Sequence, residues 1–136
     1  MNANPVFSLH IPTRILFGCG EIKKLATEIL PGKKAMIIIS GGTSMKKYGY
    51  LEKVTSFLTE NDVASIVYDK ILPNPIKSHV MEAAAICREQ GCDFIIGLGG
   101  GSTIDSAKAI AVMACNDGDF WNYVTGGTGK GRPVTK

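Results

Sequence analysis

Residues 94–111 read FIIGLGGGSTIDSAKAIA, and the change of pattern within them indicates how the whole chain is built. An apolar, β-prone run over 94–98 leads into Gly99, Gly100 and Gly101, and Ser102 opens an alanine-rich run that ends at Cys115. This order predicts a strand, a tight turn and a helix. Glycines let a ligand approach the backbone closely, and a helix N-terminus carries partial positive charge. The segment therefore predicts a turn that suits a phosphate group.

The rest of the chain repeats this alternation of strand and helix. A continuous apolar core over 35–39 favours a strand at 34–40 that is buried on both faces, and 64–68 is typical of another strand. Apolar residues at helical spacing predict helices over 21–30, 51–61 and 76–90. The chain is therefore predicted to be an α/β protein with a parallel, Rossmann-like sheet and helices on both faces.

The two ends of the chain differ from this pattern. Residues 7–11 and 14–17 are short β-like pieces separated by Pro12, which predicts a β-hairpin or edge element over 1–17. Residues 117–136 are rich in glycine and lack hydrophobic periodicity, which predicts a partly flexible tail. All of 1–136 is expected to form one domain. An exposed edge element over 7–17 would also be a surface for homodimer formation.

Composition excludes several classes of function. The net charge is +3 and no long basic run occurs, so nucleic-acid binding is not expected. Residues 1–12 do not have the pattern of a signal peptide, and no apolar stretch has membrane-spanning length. The four cysteines contain no CxxC pair, which argues against a zinc ribbon or a thioredoxin-like site. We expect a cytoplasmic protein with no membrane contact.

The run from Gly99 to Ala109 resembles a known family. It matches the pattern Gly-Gly-Gly-Ser-x-x-Asp-x-Ala-Lys-Ala of the iron-dependent (group III) alcohol dehydrogenases. The resemblance implies an NAD(P) cofactor, a divalent metal (iron or zinc) and hydride transfer between the cofactor and a small alcohol or aldehyde. It covers the nucleotide-binding first third of a usual family member, so the family's helical metal-binding domain is expected to be absent from these 136 residues.

The metal ligands implied by the resemblance are one aspartate and three histidines that lie beyond position 136. The two histidines present, His10 and His79, are far apart in sequence, and no residue of this chain can be assigned as a metal ligand. The chain alone is therefore expected to be inactive, and no residue is assigned a catalytic role with certainty.

The resemblance also implies a set of cofactor-binding residues. Gly99, Gly100, Gly101 and Ser102 would hold the pyrophosphate. Asp105 has two open interpretations. It lies three residues after Ser102 and so resembles a capping box, while the resemblance places it beside the nicotinamide as a possible active-site residue.

Asn74 likewise has two open interpretations, because the Asn74–Pro75 pair suits the start of a helix, with Asn74 as the N-cap. The resemblance instead implies that Asn74 contacts the cofactor.

Residues 40–49 read SGGTSMKKYG and follow the predicted buried strand. The resemblance implies that Ser40, Gly41, Gly42 and Ser44 face the adenosine end of the cofactor. Many family members have an aspartate after this strand, whereas this chain has small and hydroxyl residues followed by Lys46–Lys47. Hydroxyls and lysines accept a 2′-phosphate, so NADP is favoured over NAD. The segment resembles the NADP-using butanol-dehydrogenase branch.

Two alternatives remain beside the dehydrogenase interpretation. The chain suits a stand-alone, non-catalytic nucleotide-binding module, and it also suits a glycerol dehydrogenase-like relative. A third possibility is excluded, because residues 124–131 do not complete a P-loop: Val124 stands where its first glycine belongs.

Overall fold

The computed structural model describes residues 8–134 and contains one three-stranded parallel sheet. Its strands are β1 (Lys34–Ser40), β2 (Ala64–Ile71) and β3 (Phe94–Gly97), arranged in the order β2-β1-β3. The helices are α1 (Ser44–Lys47), α2 (Tyr50–Glu60), α3 (Lys77–Glu89) and α4 (Gly101–Cys115), with 3₁₀ helices η1 (Glu21–Ala26) and η2 (Phe120–Asn122). The three strands predicted for the parallel sheet are present, and the predicted α/β class is confirmed.

Strand β1 is the centre of the molecule. It pairs with β2 on one side and β3 on the other, so that Ile37 lies opposite both Val67 and Ile96. All five residues from Ala35 to Ile39 are fully buried. A strand covered on both edges and both faces has no side that can carry polar residues, which explains its continuous apolar run.

The two faces of the sheet carry separate hydrophobic clusters. Met36 and Ile38 pack on one face with residues of α3 and α4, including Val80 and Ile110. The other face carries a second cluster from β1, α2 and the residue that precedes β2: Ala35, Ile37, Ile39, Val54, Leu58 and Val63. The connection from β1 to β2 and the connection from β2 to β3 cross the sheet in opposite directions. Because both crossovers are right-handed, α2 and α3 lie on opposite faces of the sheet. Helices on both faces are thereby confirmed.

The predicted N-terminal hairpin is wrong for the residues that the structure describes. Residues 1–7, which include the first part of the predicted hairpin, lie outside them, and 8–17 contain no strand. Apolar side chains there are exposed, including Ile15 at 78% and Phe17 at 96%. A two-stranded ribbon is marginal without a surface to pack against, and Pro12 interrupts the pairing pattern.

The helix predicted over 21–30 is shorter and has a different type. It is the 3₁₀ helix η1, which ends at Ala26. The Asn61 side chain donates hydrogen bonds of 2.8 Å to the carbonyls of both Leu25 and Glu28. These carbonyls are therefore bound by a residue from the end of α2, while Ile29 is fully exposed at 99%. Tertiary contact replaces the last turn of the predicted helix.

The glycine-rich segment after α4 folds back on itself around η2. Gly131 N–H donates to Val124 O at 3.1 Å, and Arg132 N–H donates to Asn122 O at 2.8 Å. The flexibility of 117–136 and the assignment of 1–136 to one domain stay predictions. No helix among residues 8–134 is long and apolar enough to cross a membrane.

Replacing Ile38 with Ala is expected to lower the free energy of unfolding by about 2–5 kcal/mol, because the change leaves a cavity in the centre of the sheet. Ile29→Ala is the matched control and is expected to change it by less than about 0.5 kcal/mol, since Ile29 contacts mostly solvent. Urea denaturation of both variants measures the difference. Equal losses would contradict the placement of the core.

Candidate functional site

A cleft lies at the carboxyl ends of the three strands. Its lining combines the end of β1, the segment after β2 and the turn after β3, namely Ser40, Leu72, Pro73, Gly100, Gly101, Ser102 and Thr103. In open α/β sheets, ligands bind at this edge, where the strand order reverses between neighbouring strands. With the order β2-β1-β3, the reversal lies between β1 and β3, which is where Ser40 faces the glycine turn.

The turn after β3 depends on Gly99. Its φ is +156°, and a Cβ at this position would lie 2.8 Å from the Thr103 side-chain oxygen. Leu98 N–H donates to Ile38 O at 2.9 Å, which ties the start of the turn to β1. Only glycine combines this backbone conformation with such a close approach to α4.

Gly100 and Gly101 differ from Gly99 because the space beside them is open. A Cβ built at either position meets no atom within 4 Å. Helix α4 begins at Gly101, and the N–H groups of Gly101 and Ser102 lack intrahelical partners, whereas Thr103 N–H donates to Gly100 O at 3.1 Å. Exposed backbone beside an open space, with free N–H groups, is what a phosphate group requires at a helix N-terminus.

Ser102 does not have the capping role that the sequence predicts. The N-cap of α4 is Gly100, and no side chain caps the helix. Ser102 Oγ instead accepts a hydrogen bond of 3.1 Å from Asn74 N–H. The hydroxyl thus connects the segment after β2 with the first turn of α4, across the cleft. The N-cap of α4 thus lies two residues before the predicted one, and the Ser102 side chain is available for this contact.

Asn74 is not a helix N-cap either. Helix α3 begins at Lys77 with Ile76 as its N-cap, and Asn74 has a φ of +63°. Asparagine tolerates the left-handed region better than most residues. The preceding Pro73 lines the cleft, and the Asn74 backbone binds Ser102. Asn74 is therefore held beside the site by its backbone, and its predicted contact with a cofactor stays a prediction.

Asp105 lies one turn along α4 from the cleft lining. Its carboxylate is 3.5 Å from Lys108 Nζ, and the Asp105 side chain is 61% exposed. The capping-box interpretation is wrong because Gly100, not Ser102, is the N-cap. The observed contact is an ordinary surface ion pair between residues three apart on a helix. A role of Asp105 beside a nicotinamide stays a prediction.

The loop after β1 contains the remaining predicted residues. The β1–β2 register shifts between Ile38 and Ser40, and Gly41 N–H then donates to Ile71 O at 2.9 Å. Ser40 lines the cleft, whereas Gly41 and Gly42 form the bend beyond it and Ser44 begins α1. The structure therefore brings Ser40 together with Gly100, Gly101 and Ser102, and Gly41, Gly42 and Ser44 form the loop that follows Ser40, called the rim below.

Sequence reasoning missed an acidic residue at this rim. Asp69 on β2 forms an ion pair with Lys46, with 2.5 Å between Oδ2 and Nζ. The hydrogen bond from Lys46 lowers the pKa of the Asp69 carboxyl. The loop after β1 contains no acid, but the neighbouring strand supplies one. The parallel pairing of β1 with β2 could have indicated Asp69, because it brings the carboxyl ends of both strands to the same edge of the sheet.

No group of three or more His, Cys, Asp or Glu side chains within residues 8–134 is arranged to hold a metal ion. The metal implied by the sequence resemblance therefore finds no ligand set in the part of the chain that the structure describes. The open glycine turn, by contrast, fits the phosphates of a dinucleotide.

Fold and cleft together define an open parallel α/β fold with an open glycine turn at the switch point of its sheet. The family model of iron-containing alcohol dehydrogenases matches residues 12–136. The chain belongs to the iron-containing alcohol dehydrogenase family.

Individual relatives agree with this assignment. The chain is 37% identical to NADH-dependent butanol dehydrogenase A of Clostridium acetobutylicum over 118 residues, which are 87% of this chain and 30% of the relative. It is 43% identical to the NADPH-dependent aldehyde reductase YqhD of Escherichia coli over 108 residues, which are 79% of this chain and 27% of the relative. These two relatives are named for different forms of the nicotinamide cofactor.

A solved structure supports the same conclusion. The butanol dehydrogenase A of Thermotoga maritima superposes with a TM-score of 0.85 at 34% identity, covering 96% of this chain and 32% of that one. The chain thus spans about a third of the length of the relatives it matches.

Gly99 and Gly101 are expected to respond differently to the same substitution. Gly99→Ala should lower the free energy of unfolding by about 1–3 kcal/mol, because it combines backbone strain with a clash against Thr103. Gly101→Ala should change it by less than about 0.5 kcal/mol, because its Cβ meets open space. Thermal or urea denaturation measures both. A loss at Gly101 as large as at Gly99 would contradict the open space described for the cleft.

Proposed function

We propose that this chain is the cofactor-binding part of a metal-dependent alcohol dehydrogenase or aldehyde reductase, which transfers hydride between NAD(P)(H) and a small alcohol or aldehyde. The observation that carries the proposal is the open glycine turn at the sheet's switch point, opposite Ser40. The family assignment supports the reaction class, and the names of two relatives supply the substrate class and the cofactor.

The pyrophosphate of the cofactor is assigned to the start of α4. Gly100 and Gly101 leave room for phosphate oxygens, and the first N–H groups of the helix donate to them. Gly99 allows the turn to pack closely against Thr103. Ser102 holds the opposite wall through its bond to Asn74 N–H. In this arrangement the backbone binds the phosphates, and the side chains fix the position of the backbone.

The nicotinamide and adenosine ends extend in opposite directions from this point. Ser40, Gly41, Gly42 and Ser44 lie along the rim where the adenosine is assigned. Asn74 and Asp105 are assigned to the other side of the cofactor, as the family resemblance implies. When bound, the cofactor supplies the hydride, and this chain's residues bind and orient it. The described residues contain no ligand set for a metal ion.

We further propose that the chain prefers NADP(H). Support comes from the hydroxyl groups of Ser40 and Ser44 and from Lys46 and Lys47, which suit a 2′-phosphate. One of the two relatives is named for NADH and the other for NADPH, so the preference between NAD and NADP has to be measured.

Two further parts of the proposal concern the setting of the protein. The exposed apolar side chains over 8–17, Leu9, Ile11, Ile15 and Phe17 among them, support self-association into a homodimer through this segment. All four cysteines are free thiols, which supports a reducing, cytoplasmic setting.

Calorimetric titration with NADPH and NADH is the direct test. Saturable binding of both, with the lower Kd for NADPH, is the expected result. A lower Kd for NADH would contradict the NADP preference but not the cofactor site. Binding of neither dinucleotide by a chain shown to be folded by circular dichroism would contradict an autonomous cofactor site.

Gly101→Val is expected to raise the Kd of NADPH by about 10- to 100-fold, because the side chain occupies the space assigned to the pyrophosphate and removes hydrogen bonds to a charged group. The melting temperature is expected to stay close to that of the parent chain, since a Cβ at this position meets no neighbouring atom. Unchanged affinity in a folded variant would show that the glycine turn is not the phosphate site.

A further inference from the structure

An ion pair connects the loop after β1 with the neighbouring strand. Lys46 Nζ lies 2.5 Å from Asp69 Oδ2, and the two side chains are 53% and 44% exposed. Lys46 is one of the two lysines that suit a 2′-phosphate. In the structure its ammonium group is already bound to a carboxylate.

Backbone contacts fix this ion pair at the rim of the proposed adenosine site. Asp69 O lies 3.4 Å from the position that a Cβ at Gly41 would occupy. Gly41 N–H is bound to Ile71 O, two residues further along β2. The Asp69 backbone is therefore packed directly against the glycine bend, and its carboxylate reaches over to the start of α1.

Other charged groups near the rim are engaged differently. Lys47 Nζ lies 5.7 Å from the centre of the Tyr48 ring. Lys70, the residue after Asp69, is paired with Glu82 at 2.6 Å on α3. Lys46 is thus the cation of this loop whose availability depends on Asp69.

We propose that Asp69 is a specificity-determining residue that weakens selection of NADP over NAD by holding Lys46 in an ion pair. This inference rests on the proposed cofactor site. NADP has to displace the Asp69 carboxylate from Lys46 before Lys46 can bind the 2′-phosphate. NAD carries no 2′-phosphate, so its adenosine ribose leaves the ion pair intact. Asp69 therefore acts on one cofactor and leaves the other unaffected.

The size of the effect follows from the exposure of the pair. Half-exposed ion pairs are screened by water and contribute modestly. Asp69→Asn is expected to lower the Kd of NADPH by about three- to fivefold, while the Kd of NADH changes by less than about twofold. Lys46→Gln is expected to raise the Kd of NADPH and to leave that of NADH nearly unchanged.

The experiment is a double-substitution cycle read by calorimetric binding, so it does not depend on enzymatic activity. Kd values for NADPH and NADH are measured for the parent chain, Asp69→Asn, Lys46→Gln and the double variant. Glu82→Gln is the matched control, because it removes one negative charge from the ion pair of Lys70, the residue after Asp69, and leaves both Lys46 and Asp69 unchanged.

The expected pattern is specific. Asp69→Asn improves NADPH binding in the parent background, the improvement disappears in the Lys46→Gln background, and Glu82→Gln has no comparable effect. The proposal is overturned if Asp69→Asn leaves the NADPH-to-NADH ratio unchanged, if the improvement persists without Lys46, or if Glu82→Gln produces it equally. Binding of neither dinucleotide by the folded parent chain would instead refute the proposed cofactor site, so the two failures are distinguishable.

Discussion

The enclosure of β1 is the constraint on which the rest of the structure depends. This strand is paired on both edges and covered on both faces, and its core from Ala35 to Ile39 is entirely buried. Its side chains alternate between the cluster under α3 and α4 and the cluster under α2. A one-residue slip would exchange the two sets, so the register is firmly specified. The positions of the loops at the carboxyl edge follow from that register.

This edge is held by backbone contacts to β1 and β2. Leu98 N–H binds Ile38 O, and Gly41 N–H binds Ile71 O. One side-chain contact, from Asn74 N–H to Ser102 Oγ, then links the segment after β2 with α4. The cleft is thus built from parts of three separate βα connections, of which two are anchored to a neighbouring strand and the third to helix α4. Such anchoring lets glycines leave open space at the centre of the site without losing its shape.

The sequence predicts the buried framework well, because periodicity and glycine placement report directly on burial and turns. The three strands and helices α2, α3 and α4 agree with expectation within a few residues. The errors concern contacts between segments distant in sequence. Asn61 binds the Leu25 carbonyl that an α-helix over 21–30 would have used, and Ser102 binds Asn74 rather than its own helix. Asp69 was missed because it lies on β2, and the residues that follow β1 in the sequence do not indicate which charged residue of the paired strand lies beside them.

The central claim, that the carboxyl edge of this sheet binds a nicotinamide dinucleotide through the glycine turn, is tested most directly by ¹⁵N–¹H NMR of the labelled chain titrated with NADPH. The account predicts chemical-shift changes concentrated in the backbone amides of Ser40, Gly41, Asn74 and residues 100–103. Little change is expected at the opposite end of the sheet, around Lys34 and Asp93. Saturable shifts centred elsewhere, with residues 100–103 unaffected, would contradict the account.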